Sequence, residues 1–262
     1  MSTDPTSHAK ATILVMTAGG ANPAIVINAL SARWPDVHVI QEHPESKLEI
    51  WRRRARRLGP LQATGQLATM IASRLLKKAA NKRMAEICHQ YGAQPVLNPA
   101  IPVHHVGSIN DGKALDLVRT ISPSVVVLVS TRLMKRATLA AMPCPVINLH
   151  AGINPAYRGQ MGGYWSLVEN DRANFGATVH LVDAGIDTGE TLHEVRPQPA
   201  KQDFISTYPM LLTAASVEIV CQSVEETLEG RLAPRSPSGP SHLRFPPAIW
   251  TWVWHGLTKG IW

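Results

Sequence analysis

Three cysteines in 262 residues, Cys88, Cys144 and Cys221, are too few and too widely spaced for a disulfide framework, and no CxxC pair exists to suggest zinc. Each reads as a reduced, packed thiol of a cytoplasmic protein. Cys144 lies only four residues before Asn148, but Pro143 and Pro145 flank it and no helix start is there to depress its pKa. It is not taken as a nucleophile. No apolar run approaches the roughly 18 residues of a membrane span. The opening Met1–His8 lacks the basic and apolar parts of a secretory leader, so residues 1–10 read as a disordered lead-in. Internal repeats are absent, and neither GxGxxG nor a P-loop pattern occurs, which removes the usual dinucleotide and nucleotide signatures.

What remains is an ordinary globular composition, 45% hydrophobic and 17% charged, long enough to bury a real core as one large domain or two small ones. The net charge of +7 is unevenly placed. From Lys47 to Arg83 there are eleven Lys and Arg against one acid, Glu49. Such a run is either a solvated helical face or a surface that attracts phosphates or anionic lipid. Aromatic residues are scarce at 5%, yet four of the seven tryptophans fall in the last thirteen residues.

The pattern predicts an α/β chain. Ala11–Met16 reads as a strand, followed by the turn Gly19-Gly20-Ala21-Asn22 and a helix over Ala24–Arg33. A second strand follows at Asp36–Ile40. Helices are expected over Leu48–Arg57 and Gly65–Tyr91, a short strand at Val103–Val106, and a helix over Gly112–Thr120 capped from Ser108–Asp111. Val125–Val129 is apolar throughout, as in a strand covered on both faces. Further helices are read at Leu133–Ala141, Gly163–Asn170 and Tyr208–Gly230, and strands at Pro145–His150, Ala177–Val182 and Leu192–Val195. The strands at 125–129, 146–150 and 177–182 should lie side by side, parallel or as a mixed edge. The organisation is thus a Rossmann-like, doubly wound, mostly parallel sheet over residues 11–231, with a basic helical insertion at 47–94. A proline- and tryptophan-rich tail follows at 232–262.

Side-chain alternation points Asn148 and His150 into one cleft at the strand ends, where open α/β sheets bind ligands. The two-glycine loop Asp183–Gly189 can bring Asp187 over the same place. An amide to donate to a developing oxyanion, an imidazole to handle a proton and a carboxylate to orient it suffice to move an acyl group between nitrogens. Singly, each residue is more ordinary: an Asn in a turn, a hydrogen-bonded core histidine, a lone Asp-Thr-Gly.

In order and spacing they are more specific. Asn148-Leu-His150, Asn154-Pro-Ala-Tyr-Arg158-Gly159, Thr178-Val-His180 and Asp183-Ala-Gly-Ile-Asp187-Thr-Gly189 resemble the formyltransferase family. That family includes glycinamide ribonucleotide, methionyl-tRNA and sugar N-formyltransferases. The resemblance is strong over 122–197, fainter over 11–30, and absent from 47–94 and the tail. It implies 10-formyltetrahydrofolate as donor, no metal, and catalytic roles for Asn148, His150 and Asp187, with His180 in support. It implies a pterin pocket lined by Thr131, Arg132, Leu133 and Met134 and by Val182, Asp183, Ala184, Gly185 and Ile186. The acceptor should meet Gly19, Gly20, Asn22, Arg158, Gly159, Gln160, Tyr164 and Trp165, with Tyr164 or Trp165 either stacking on a sugar or base or packing inward.

The acceptor is expected to be a small phosphorylated or sugar-containing amine. Ala21 and Pro23 depart from the family's phosphate-holding turn, which puts a glycinamide ribonucleotide acceptor in doubt without removing it. Nucleic acid is not expected as partner, since the residues after 231 leave no room for the second domain of methionyl-tRNA formyltransferases. A folate hydrolase or a non-catalytic folate-binding protein stand as rivals. The basic insertion and tryptophan-rich tail together suggest a cytoplasmic protein with peripheral contact at an anionic membrane, or a homodimer interface.

Overall fold

Every residue of β1 (Ile13–Thr17) and β4 (Val125–Val129) is buried, which places these strands at the centre of the sheet. The computed structural model describes residues 11–262; the expected lead-in at 1–10 lies outside the described residues. The other strands of the main sheet are β2 (Val37–Glu42), β3 (Val103–Val106), β5 (Val146–His150), β7 (Ala177–Leu181) and β8 (Thr191–Val195), and a separate short strand β6 (Arg158–Gly159) lies between β5 and β7 in sequence. The sheet order is β3-β2-β1-β4-β5-β7-β8. β3 to β5 are parallel through β2, β1 and β4, while β7 pairs antiparallel with β5 and β8 antiparallel with β7. This is the Rossmann-like, mostly parallel sheet read from the sequence, with the mixed edge among its alternatives.

Alternation along the central strands explains why both faces are covered. Ile13, Val15, Val125 and Val127 share a core with Val26 and Leu30 of α1 (Ala21–Arg33) and Val220 and Val224 of a late helix, Val217–Leu228. Leu14, Met16, Val126 and Leu128 face the other way, onto Ala114 and Val118 of Gly112–Ile121. That helix is capped by Asp111, whose carboxylate accepts from Ala114 N–H at 2.8 Å, as Ser108–Asp111 suggested.

The insertion holds three helices, α2 (Lys47–Leu58), α3 (Pro60–Leu75) and α4 (Lys77–Gln90). The acid Glu49 closes a capping box on α2: Ser46 Oγ accepts from Glu49 N–H at 3.2 Å and Glu49 Oε2 accepts from Ser46 N–H at 2.8 Å. The single helix expected over Gly65–Tyr91 is two. Pro60 starts α3 five residues earlier, at a position where its missing N–H costs nothing, and Leu76 (φ −88°, ψ 8°) breaks the run. Tyr208–Gly230 is likewise two helices, Tyr208–Ala215 and Val217–Leu228. At the break, Ser216 Oγ donates to Leu212 O at 2.6 Å and competes with the backbone ladder. Leu133–Ala141 shortens to Arg136–Ala140, and Gly163–Asn170 becomes Gly162–Val168.

The tail is more ordered than its prolines suggested. Leu243–Arg244 forms β9, paired parallel to β6, and Ile249–Lys259 forms a helix, α10. Closeness to α3 is enforced at Gly65, where an added Cβ would stand 2.4 Å from the Trp250 ring and 2.7 Å from Ala248 Cβ. Thr69 Oγ1 also donates to Pro247 O at 2.9 Å. The two segments outside the sequence resemblance therefore pack on each other. Arg83 of α4, part of the basic run, is not a solvated charge: its Nε and Nη2 donate to the two carboxylate oxygens of buried Asp203 at 2.7 and 3.1 Å.

Candidate active site

Asn148 on β5 lies opposite His180 on β7, and strand alternation puts His150 on the same side of the sheet. The His180 ring Nδ1 is 2.7 Å from Leu181 O. A carbonyl only accepts, so Nδ1 carries a hydrogen, and Nε2 lies between Asn148 Nδ2 at 3.1 Å and Asp187 Oδ1 at 3.5 Å. The same amide nitrogen donates to Asp187 Oδ1 at 3.4 Å. By the same reasoning, His150 Nε2 donates to Tyr157 O at 2.7 Å, which leaves Nδ1 to face Asp187 Oδ2 at 3.5 Å. Nδ1 is therefore the nitrogen of His150 that can exchange a proton inside the site. Gly152 makes this closure possible, since a Cβ there would meet Tyr157 O at 2.4 Å and His150 Nε2 at 2.6 Å.

Asp187 sits at φ 50°, a left-handed conformation that costs a non-glycine residue about 1 kcal/mol or more and is held only where neighbours over-determine it. Asp183 accepts from Gly185 N–H at 3.0 Å and from Thr188 Oγ1 at 2.7 Å, which ties the loop to itself. Arg158 Nη1 donates to Ile186 O at 3.1 Å, and Gly159 N–H donates to Asp187 Oδ2 at 2.9 Å. Gly159 must be glycine twice over: its φ is 90°, and a Cβ would stand 2.4 Å from Arg244 O of β9. Burial pushes the Asp187 carboxyl up, but His150, the His180 contact and the Gly159 amide outweigh it and bring it down to about 2. Because its folded pKa lies below the ordinary carboxylate value, its stabilising effect is full above that value and lost only as pH falls towards 2. The Cys144 thiol, by contrast, is pushed up to about 11 by burial, which suits a packed thiol and not a nucleophile.

These groups open on a cleft of about 750 Å³. Of the expected donor-side residues, Thr131, Arg132, Leu133, Met134, Val182, Asp183, Gly185 and Ile186 line it, and Ala184 does not. Arg132 is tied down by its own neighbours: its backbone N–H donates to buried Glu42 at 2.6 Å, and its guanidinium donates to Gly107 O at 3.2 Å and to His43 O. Of the expected acceptor-side residues, Asn22, Gly159, Gln160 and Tyr164 line the cleft. Gly19 and Gly20 instead face a separate cavity of about 300 Å³ beside Gln41 and Val96. Arg158 braces the Asp187 loop. Tyr164 is 1% exposed, with its hydroxyl 2.7 Å from His255 Nδ1 of α10. Trp165 Nε1 donates to Phe245 O at 2.9 Å, with the Arg244 guanidinium 5.5 Å over its ring. Of the two alternatives for these rings, the inward packing is the one seen; both hold the tail.

Sequence reasoning did not place Arg53, Arg54 and Arg57 of α2, or Leu243–Phe245 of the tail, in the cleft wall, where they lie. The arginines were signalled only by the basic run that contains them, and the tail residues only by the co-occurrence of that run with the tryptophan-rich tail. Among the described residues, no group of three or more His, Cys, Asp or Glu is arranged to hold a metal ion.

The profile of the formyl transferase family matches residues 12–224. The chain belongs to that family. The match spans the main sheet and its catalytic-type triad but stops short of β9 and α10. Among curated relatives, the methionyl-tRNA formyltransferase of Trichlorobacter lovleyi is 26% identical over 141 residues, covering 53% of this chain and 44% of that one. That of Syntrophus aciditrophicus is 28% identical over 151 residues, covering 57% and 47%. The formyltransferase chain described here thus matches less than half the length of those relatives. Among solved structures, an N-formyltransferase from Helicobacter canadensis in complex with folinic acid and dTDP-3-aminofucose superposes with TM-score 0.57 at 11% identity, covering 89% of this chain and 70% of that one. Glycinamide ribonucleotide transformylase 1 from Symbiobacterium toebii gives TM-score 0.54 at 20% identity, covering 87% and 94%. At these identities the likeness is one of fold.

Proposed function

We propose that this chain transfers a formyl group from 10-formyltetrahydrofolate to the primary amine of a small acceptor carrying a sugar or a phosphate. The observation that carries this reading is the convergence of Asn148, His150 and Asp187, within 3.5 Å of one another through Asp187, at the floor of one cleft. In the reaction the amine nitrogen bonds to the formyl carbon, the bond from that carbon to the folate nitrogen breaks, and the amine's proton passes to the departing nitrogen. Asn148 donates one amide hydrogen to the oxygen on which charge develops while the other stays on Asp187, a preorganised role. His150 Nδ1 and the Asp187 carboxylate carry the proton between them. Leu133, Met134, Val182 and Ile186, all of which line the cleft, offer apolar surface for the donor's flat ring.

A screen of amino sugars, their nucleotide conjugates and glycinamide ribonucleotide with 10-formyltetrahydrofolate tests the reading; dTDP-3-aminofucose, bound by the Helicobacter protein, belongs in it. Formamide product from at least one amine is expected. Formate release that no amine accelerates would replace the transferase with a hydrolase, and tight folate binding without turnover would replace it with a sensor.

The same reading places the enzyme in the cytoplasm, in peripheral contact with an anionic membrane. No helix among the described residues is long and apolar enough to cross one. What supports surface contact is an outward stripe on α10, with Trp250, Val253, Trp254 and Leu257 at helical spacing and Trp254 and Leu257 63% and 73% exposed. Arg74, Lys77 and Lys78, at the end of α3 and the start of α4, supply the charge that an anionic surface attracts. The full chain should co-sediment at low salt with phosphatidylglycerol vesicles and not with phosphatidylcholine alone, and Trp254→Asp with Leu257→Asp should abolish it. No sedimentation of the unmodified chain ends the idea. A dimer in light scattering that the same pair of changes dissolves would give the face to a second copy instead.

A further inference from the structure

The α2 face turned into the cleft carries Ile50, Arg53, Arg54 and Arg57, at the spacing of one helical stripe. The three arginines differ in their partners. Arg53 is occupied: its Nη1 reaches both carboxylate oxygens of Glu45, at 2.6 and 2.7 Å. Arg57 lies 4.8 Å over the Phe245 ring of the tail and makes no ion pair among the described residues. Arg54 is half-buried and makes no ion pair among the described residues; the charge of Glu45 reaches it only from a carboxylate already paired with Arg53. The Arg54 guanidinium donates to Gln160 Oε1 at 3.1 Å and to Met70 Sδ at 3.6 Å. Burial, then the charge of Arg53, lowers its pKa from the ordinary arginine value, so its surroundings work against the charge it holds. A guanidinium kept in a cleft without an anion is unfavourable unless something anionic comes to it, and its planar fork matches a phosphate's paired oxygens.

The position of this charge is tied to the chemistry. Gln160, which accepts from Arg54, follows Gly159, whose N–H holds Asp187. The other acids on the cleft wall are engaged: Glu42 with the Arg132 backbone, Glu45 with Arg53, Asp183 with Thr188. The turn after β1 offers little in competition. Gly19 N–H is taken by Thr17 Oγ1 at 3.0 Å, Gly19 and Gly20 line the separate smaller cavity, and Pro23 removes an amide from the first turn of α1.

We propose that Arg54 and Arg57 of the inserted helix α2 form an anion subsite of the cleft, which holds a phosphate or diphosphate of the amine acceptor in place of the glycine turn. The proposal rests on the transferase reading for the acceptor, but its anion chemistry is tested without turnover. Inorganic pyrophosphate is titrated calorimetrically into the full chain and into Arg54→Gln, Arg57→Gln and Arg52→Gln variants, each checked for native circular dichroism. In parallel, 5-formyltetrahydrofolate binding is followed by tryptophan fluorescence. Arg52 is exposed and lies outside the cleft wall, so it controls for net charge. Pyrophosphate should bind the unmodified chain and lose at least tenfold in affinity in each of the Arg54 and Arg57 variants, with the Arg52 variant and all folate affinities within twofold. Absence of pyrophosphate binding, equal weakening by Arg52→Gln, or no weakening in the cleft variants would overturn it. Loss of folate affinity in the cleft variants would also overturn it, by assigning the arginines to the donor's glutamate carboxylates. If the subsite binds as described and no amine is formylated, the transferase reading fails while the subsite stands.

Discussion

Asn148→Ala should lower formyl transfer by two or more powers of ten with the fold intact, and His150→Ala should do the same. Losing one preorganised donor to a developing oxyanion costs about 10²–10³ in rate, and losing a positioned proton carrier costs about 10²–10⁴. The structure indicates why Asn148 can be removed cleanly. Its amide touches only His180 and Asp187, and those two already stand 3.5 Å apart, so little room opens between them. His150 is less separable. It is 6% exposed, and its removal leaves the Tyr157 carbonyl without the donor now 2.7 Å away. Leaving a buried acceptor unpaired costs about 1–3 kcal/mol, so the His150 variant should melt lower as well as react slower. Steady-state rates set beside thermal melts separate the two effects. Turnover near the unmodified rate in either variant would remove that residue from the chemistry.

The largest effect on stability is expected far from the cleft, at Arg83→Met. Asp203 is fully buried at its side chain and receives both Arg83 donors, the Ala200 N–H at 2.8 Å and the Thr207 hydroxyl at 3.2 Å. Without Arg83 the carboxylate keeps two neutral donors but no countercharge. Breaking a buried pair from one side costs about 3–5 kcal/mol. At about 2–4 °C per kcal/mol for a chain of this size, the melting temperature should fall by on the order of 10 °C. Changing both partners, Arg83→Met with Asp203→Asn, should recover much of the loss, because the uncompensated charge is then gone. A melt within about 2 °C of the unmodified chain for Arg83→Met alone would show that the pair is not buried as described.

Arg83 also marks where sequence reading stopped. In the sequence it is one of eleven basic residues in a run and looks like part of a solvated or anion-seeking face. Its partner is 120 positions away, in a loop with no pattern of its own. The central strands were legible because burial on both faces leaves a continuous apolar run, as in Val125–Val129. The convergence of Asn148, His150 and Asp187 was legible because strand alternation and a short glycine loop are local properties. The breaks at Leu76 and Ser216 were not, since apolar spacing continues across both. Nor was the tail's place: that Gly159 is wedged against Arg244 O, and that Tyr164 and Trp165 bind α10 and Phe245, depends on contacts spanning 80 or more positions. Arg54 was hidden for the same reason, because only its packing against Met70 and Gln160 distinguishes it from Arg52 or Arg56.

Whether this cleft moves a formyl group to an amine is decided by the rate of tetrahydrofolate formation from saturating 10-formyltetrahydrofolate, with and without an amine acceptor, for the unmodified chain and Asn148→Ala. Turnover should require the amine, yield a formamide in equal amount, and fall at least a hundredfold in the variant. Turnover that proceeds equally without an amine, or survives the loss of Asn148, would contradict formyl transfer by this cleft.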